Sequence, residues 1–303
     1  MRLKDTIKTI LDNLPYIRLL KQKVEFYEKE LFVLPGHFYS PIVNQEELIG
    51  ASLKIFNQER ILDGIDLNTE EQVALLNIFK EYYDAMPFTN EPLGKNRYYF
   101  NNDQYSYSDV IFLFSIMSYF KPKKIIEVGS GFSSAAMLDT NEQFFDSSID
   151  LTFIEPFPER LKKIVRPGDK FTLIEKKVQD VDLNLFKSLQ ENDVLFIDST
   201  HIAKTNSDVL FELFEILPYL NKGVKIHIHD IFYPFEYPKE WVIDQKRNWN
   251  EVYFLRTFLM YNTHFKILAF NTYLEHKYTS WFEQNMPLCL KDRGGSLWLY
   301  KMS

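Results

Sequence analysis

The stretch that most constrains this chain is Lys123-Lys-Ile-Ile-Glu-Val-Gly-Ser-Gly-Phe-Ser-Ser-Ala-Ala-Met-Leu138. Ile125 and Ile126 predict a short apolar strand, Gly129-Ser130-Gly131 a tight turn, and the Ala-rich run from Ser133 a helix. Without a Cβ, Gly129 and Gly131 let the backbone turn sharply and let a ligand lie against it. Ser133 or Ser134 is expected to cap the helix, whose first N–H groups then point back at the ligand.

Strands and helices alternate downstream of this unit. Leu151–Glu155, Phe171–Glu175, Asp193–Asp198, Gly223–Asp230, Phe265–Phe270 and Ser296–Tyr300 read as strands. The pattern predicts an α/β fold, a Rossmann-like, doubly wound sheet of seven strands closed by a terminal antiparallel hairpin strand. Ligands of such sheets bind at the carboxyl ends of the strands. Glu155 ends the second strand there, where a carboxylate can accept both hydroxyls of a ribose.

Before the sheet the chain reads as helical. Apolar positions Ile7, Ile10, Leu11, Leu14, Ile17 and Leu20 follow helical spacing, with an interruption expected near Pro15. Leu34–Pro41 reads as a packed connector, and Asn68-Thr-Glu-Glu-Gln72 as a helix start with capping-box character. The turn formers of residues 87–105 suggest the domain boundary, so a helical extension is expected over 1–94 and the α/β domain over 95–303.

Two families compete for the glycine turn. The dinucleotide fingerprint places its third small residue at Ser134, an imperfect match. Glu127, two residues before the first glycine, instead resembles the first motif of class I S-adenosylmethionine (SAM)-dependent methyltransferases, and the terminal hairpin strand suits that family too. The resemblance implies a SAM site formed by Glu127, Gly129, Ser130, Gly131, Glu155, Asp198 and, in the turn after the third strand, Asp180.

The fourth and fifth strands end Asp198-Ser-Thr-His201 and His227-Ile-His-Asp-Ile231. In such sheets these ends converge, gathering Asp198, His201, His229 and Asp230 around one crevice. Carboxylates and imidazole there could hold a divalent cation, Mg²⁺ or another, or could cap helices or contact the cofactor with no metal at all. His201 has the titration range of a general base. The Asp-x-x-His and His-Asp-Ile endings resemble a bacterial family that includes metal-dependent sugar O-methyltransferases. That resemblance implies metal ligation at Asp198 and Asp230, with His229 as third ligand here, and catalysis by Asp198 and His201. His229 departs from the family, several members of which carry an acidic residue at that position. His227 alternates to the opposite face and is expected to be structural.

A net charge of −7 excludes nucleic-acid backbone binding as a main activity, and a lone cysteine, Cys289, excludes a disulfide framework or a Cys-rich zinc site. No apolar run reaches the roughly 20 residues that span a bilayer, and no leader is apparent, so a cytoplasmic protein is expected. The expected activity is O-methylation of a saccharide or saccharide-bearing small molecule. The rivals are an NAD-dependent oxidoreductase, a catalytically silent SAM-binding scaffold assembled as a homo-oligomer through its N-terminal helices, and a hydroxylase with iron at Asp198, His229 and Asp230.

Overall fold

The computed structural model describes residues 14–303. The expected seven strands are all present: β1 (Lys124–Val128), β2 (Asp150–Ile154), β3 (Thr172–Ile174), β4 (Val194–Ile197), β5 (Lys225–Ile228), β6 (Phe265–Phe270) and β7 (Leu297–Lys301). They form one sheet in the order β3-β2-β1-β4-β5-β7-β6. Strands β1 to β5 run parallel, with Val128 opposite both Ile154 and Ile197. Strand β7 inserts antiparallel between β5 and β6. The inner parallel strands β1, β4 and β5 are buried on both faces, as helical cover on each side requires, whereas the edge strand β3 is partly exposed.

The helix Tyr107–Phe120 is apolar all round, and it is buried from Tyr107 through Met117. Phe112 meets Phe79 of the helix Thr69–Tyr83 edge to face at 5.7 Å. That second helix is also tied to the sheet edge. Gln72 Oε1 accepts the Phe270 N–H at 2.7 Å, and Asn68 Nδ2 donates to the Ile267 carbonyl at 2.9 Å.

Two compact units result. One takes the described residues up to Phe56 together with Lys239–Asn248; the other takes Asn57–Pro238 and Trp249–Ser303. The helix Thr69–Tyr83, assigned from sequence to the extension, therefore belongs with the sheet, because burying Leu75, Leu76 and Phe79 against it outweighs the turn-rich segment that follows.

Local expectations are corrected in several places. Pro15 opens the helix Pro15–Glu30, a position where its missing N–H costs nothing, whereas Ile7, Ile10 and Leu11 lie outside the described residues. Asn68 sits at φ 53° and its side chain caps no helix; its amide is spent on Ile267 and Glu71. Phe38 and Tyr39 of the Leu34–Pro41 connector are exposed. The helix after β4 contains a π turn at Glu212–Ile216 that carries Glu212 into the interior.

Candidate functional site

The turn after β1 is built by close approach. Gly129 has φ +88°, and a Cβ added to it would stand 2.1 Å from the Asp198 carbonyl oxygen at the end of β4. Only glycine fits between the two strand ends. The helix beyond begins at Phe132, so Ser133 and Ser134 lie in its first turn instead of capping it. Ser134 Oγ accepts the Gly131 N–H at 3.0 Å, and both serine hydroxyls donate to Glu127. Burial pushes the Glu127 carboxyl up to about 8, although the two serines pull against it. Glu127 thus braces the glycine turn from below. Ser130 Oγ is buried there without a partner.

A cavity of about 400 Å³ opens at the carboxyl ends of β1, β2 and β4, lined among others by Gly129, Glu155, Phe157, Gln179, Asp198 and Ile202. Glu155 Oε1 accepts the Phe157 N–H at 2.8 Å, which holds the carboxylate at the strand end. Asp180 closes a 3-10 turn and is exposed; Val178 and Gln179 of that turn reach the cavity in its place. Of the residues assigned to the cofactor, the structure brings Gly129, Glu155 and Asp198 to the cavity wall. It leaves Glu127 behind the turn and Asp180 outside.

Beside Asp198, which lines this cavity, stands His201. Its Nε2 is 3.5 Å from Asp198 Oδ1 and 3.4 Å from Asp230 Oδ2, and its Nδ1 is 2.9 Å from Glu251 Oε2. The Trp249 ring packs on the imidazole at 4.4 Å. Burial alone would lower the His201 pKa, but Asp198, Glu251 and Asp230 together hold it well above its ordinary value. Burial likewise opposes ionisation of Asp198, yet His229 and His201 keep its carboxyl below its ordinary value. Burial opposes the charged form of His229 too, but Asp230, Asp198 and Asp109 raise it, so both imidazoles of the crevice are favoured in the protonated form.

His229 shares that crevice, with Nε2 3.7 Å from Asp230 Oδ1, while its Nδ1 is buried without a partner. Among the described residues no group of three or more His, Cys, Asp or Glu side chains is arranged to hold a metal ion. The place between the Asp198 and Asp230 carboxylates is taken by His201 Nε2. His227 is structural as expected: it stacks on Phe196 at 3.8 Å, and burial drives it well below its ordinary value, to the neutral form.

Glu251 escaped the sequence reading. It lies 50 residues from His201, at the first position of the helix Glu251–Leu259, and its signal was only a carboxylate inside an aromatic stretch. Trp249 is at the site, and Tyr253 donates to Glu236 at 2.5 Å. Tyr261 is exposed and ties its backbone to Gly64. Tyr233, Phe235 and Tyr237 of the segment after β5 are buried, and the first two pack against Phe270.

Residues 126–231 match a family described as a methyltransferase domain. An uncharacterized protein of Archaeoglobus fulgidus is 40% identical over 163 residues, which cover 52% of this chain and 74% of the relative. Among solved structures, the chain is similar to the SAH-bound methyltransferase PaMTH1 of Podospora anserina, with 17% identity, a TM-score of 0.40, and coverage of 78% of this chain and 92% of that one. It is also similar to the SAM-bound O-methyltransferase TomG of Streptomyces achromogenes, with 13% identity, a TM-score of 0.40, and coverage of 86% and 97%.

Proposed function

We propose that this chain, whose residues 126–231 match a methyltransferase domain, is a class I SAM-dependent methyltransferase that methylates a hydroxyl of a saccharide or saccharide-bearing small molecule, with His201 as the general base. The observation that carries this reading is the position of His201 Nε2, 3.5 Å from Asp198, which lines the cavity, and 3.4 Å from Asp230. The cavity suits SAM: Gly129 of the glycine turn and the strand-end Glu155 supply a close backbone approach and an acceptor for ribose hydroxyls.

SAM supplies a sulfonium methyl group. The acceptor oxygen forms the new C–O bond as the C–S bond breaks, its electron pair passes to sulfur, and the hydroxyl proton passes to His201 Nε2. Alignment and deprotonation are the protein's share of such an in-line displacement. Asp198 and Asp230 then compensate the imidazolium.

His201 Nε2 stands between the Asp198 and Asp230 carboxylates, the position a divalent cation would need. The oxidoreductase reading is not favoured.

The test is transfer of labelled methyl from SAM to a panel of free, nucleotide-linked and metabolite-linked monosaccharides. Labelling of a hydroxyl, lost in His201→Ala with cofactor binding intact, supports the proposal. SAM binding with equal labelling by His201→Ala overturns the role of His201, and SAM binding with no labelling of any acceptor in the panel points to the silent scaffold.

A further inference from the structure

We propose that Glu251 is the positioning residue of the proton acceptor, and that Trp249-Asn250-Glu251 forms a clamp built to present Nε2 of His201 to the crevice. This deepens the reading of His201 as base and rests on it.

Six contacts meet on one short segment. Glu251, buried, faces His201 Nδ1 at 2.9 Å. The His201 carbonyl accepts the N–H groups of Asn250 at 3.1 Å and Glu251 at 3.2 Å. The Asn250 side chain closes on Ala203, accepting its N–H at 2.6 Å and donating to its carbonyl at 3.2 Å. Trp249 covers the ring. This much bonding answers a local cost, since His201 sits at φ 60°, a left-handed conformation that histidine adopts only when its surroundings hold it there.

The chemistry follows from the imidazole's two nitrogens. A neutral ring carries one proton, and a carboxylate at Nδ1 accepts a hydrogen bond from it there. The lone pair then lies on Nε2, the nitrogen that faces Asp198 and Asp230. Were the proton on Nε2 instead, the ring would have nothing with which to accept a substrate proton on the crevice side. When Nε2 takes up a proton, the buried Glu251 charge also stabilises the imidazolium, the part a carboxylate plays behind the histidine of a hydrolytic triad.

Behind the clamp lies a second buried carboxyl. Glu212, carried inward by the π turn, accepts from Ser199 Oγ at 3.2 Å and leaves its other oxygen unpartnered. Burial and the nearby Glu251 push it well above its ordinary value; burial raises Glu251 too, but there the hydrogen bond from His201 pulls the other way.

The test is nitrogen-15 NMR of the full chain labelled at histidine, with S-adenosylhomocysteine bound and at alkaline pH where the ring is neutral. The wild type is expected to hold the His201 proton on Nδ1, Glu251→Gln to keep it there through its amide oxygen, and Glu251→Ala to release it to Nε2 in most molecules. Methyl transfer by Glu251→Ala is expected to fall about 100-fold, within the range for loss of positioned base catalysis, with cofactor affinity changed less than about twofold. A wild-type proton on Nε2, which needs no variant to observe, overturns the proposal, and so does an unchanged tautomer in Glu251→Ala. A tautomer shift with methyl transfer unaffected would leave the clamp standing and instead overturn His201 as the base.

Discussion

Gly129 and the carbonyl of Asp198 leave no room for a side chain: a Cβ on the glycine would stand 2.1 Å from that oxygen, on a backbone already at φ +88°. This approach is where β1 and β4 end side by side and where the cavity begins. Gly129→Ala is expected to lower stability by about 2 kcal/mol or more, from left-handed strain together with the clash. Denaturant unfolding measures it, and an unchanged midpoint would contradict the geometry.

Glu155 and Asp180 were both assigned to the cofactor from the sequence, and the structure separates them. Glu155 lines the cavity at the end of β2, whereas Asp180 faces outward. Glu155→Ala is expected to weaken S-adenosylhomocysteine by about 10- to 100-fold, the loss of charge-assisted hydrogen bonds. Asp180→Ala should stay within about twofold. Calorimetric titration of both variants decides it.

A general base must be neutral to act. Because Asp198, Glu251 and Asp230 hold His201 well above its ordinary value, the acid limb of kcat/KM is expected to lie above about 6.5, with activity rising as pH rises through it. Asp230→Asn removes one of those charges and should move the limb to lower pH. A limb that stays in place would show that another group titrates.

Glu127 gives a stability signature. Its carboxyl titrates at about 8 in the folded chain against 4.5 ordinarily, so the folded state binds the extra proton between those values. Stability contributed by this group is fully present below about 4.5 and is lost as pH rises through about 8. Glu127→Gln, which mimics the protonated form, should flatten the fall in Tm between about pH 6 and pH 9 relative to wild type. Equal slopes for the two proteins would contradict the assignment.

Chelation separates the metal-free reading from the metal-assisted one. With His201 Nε2 between Asp198 and Asp230, methyl transfer is expected to be unchanged by EDTA. Loss of activity, restored by Mg²⁺, would contradict that arrangement.

The sheet was legible because each strand is a short apolar run ended by a glycine turn or a carboxylate, a signal local to a few residues. Asp198, His201, His229 and Asp230 were legible for the same reason, since strand ends of a known sheet order must converge. Glu251 was not, because nothing local distinguishes a helix-start glutamate that turns inward to a histidine from one that faces solvent. Glu127 was legible as a position but not as a role. Its use as a brace depends on Ser133 and Ser134 turning back toward it, which rests on where the helix begins, and that boundary came out one residue before the expected start. The extension was misjudged because the Thr69–Tyr83 helix packs through contacts to β6, nearly 200 residues away.

The central claim, that the cavity at the ends of β1, β2 and β4 holds SAM, is tested most directly by calorimetric titration of the full chain with S-adenosylhomocysteine, with NAD as the comparison. The account predicts saturable micromolar binding of S-adenosylhomocysteine at one per chain, insensitive to EDTA, and no binding of NAD. Failure to bind S-adenosylhomocysteine, with NAD bound instead, would contradict it.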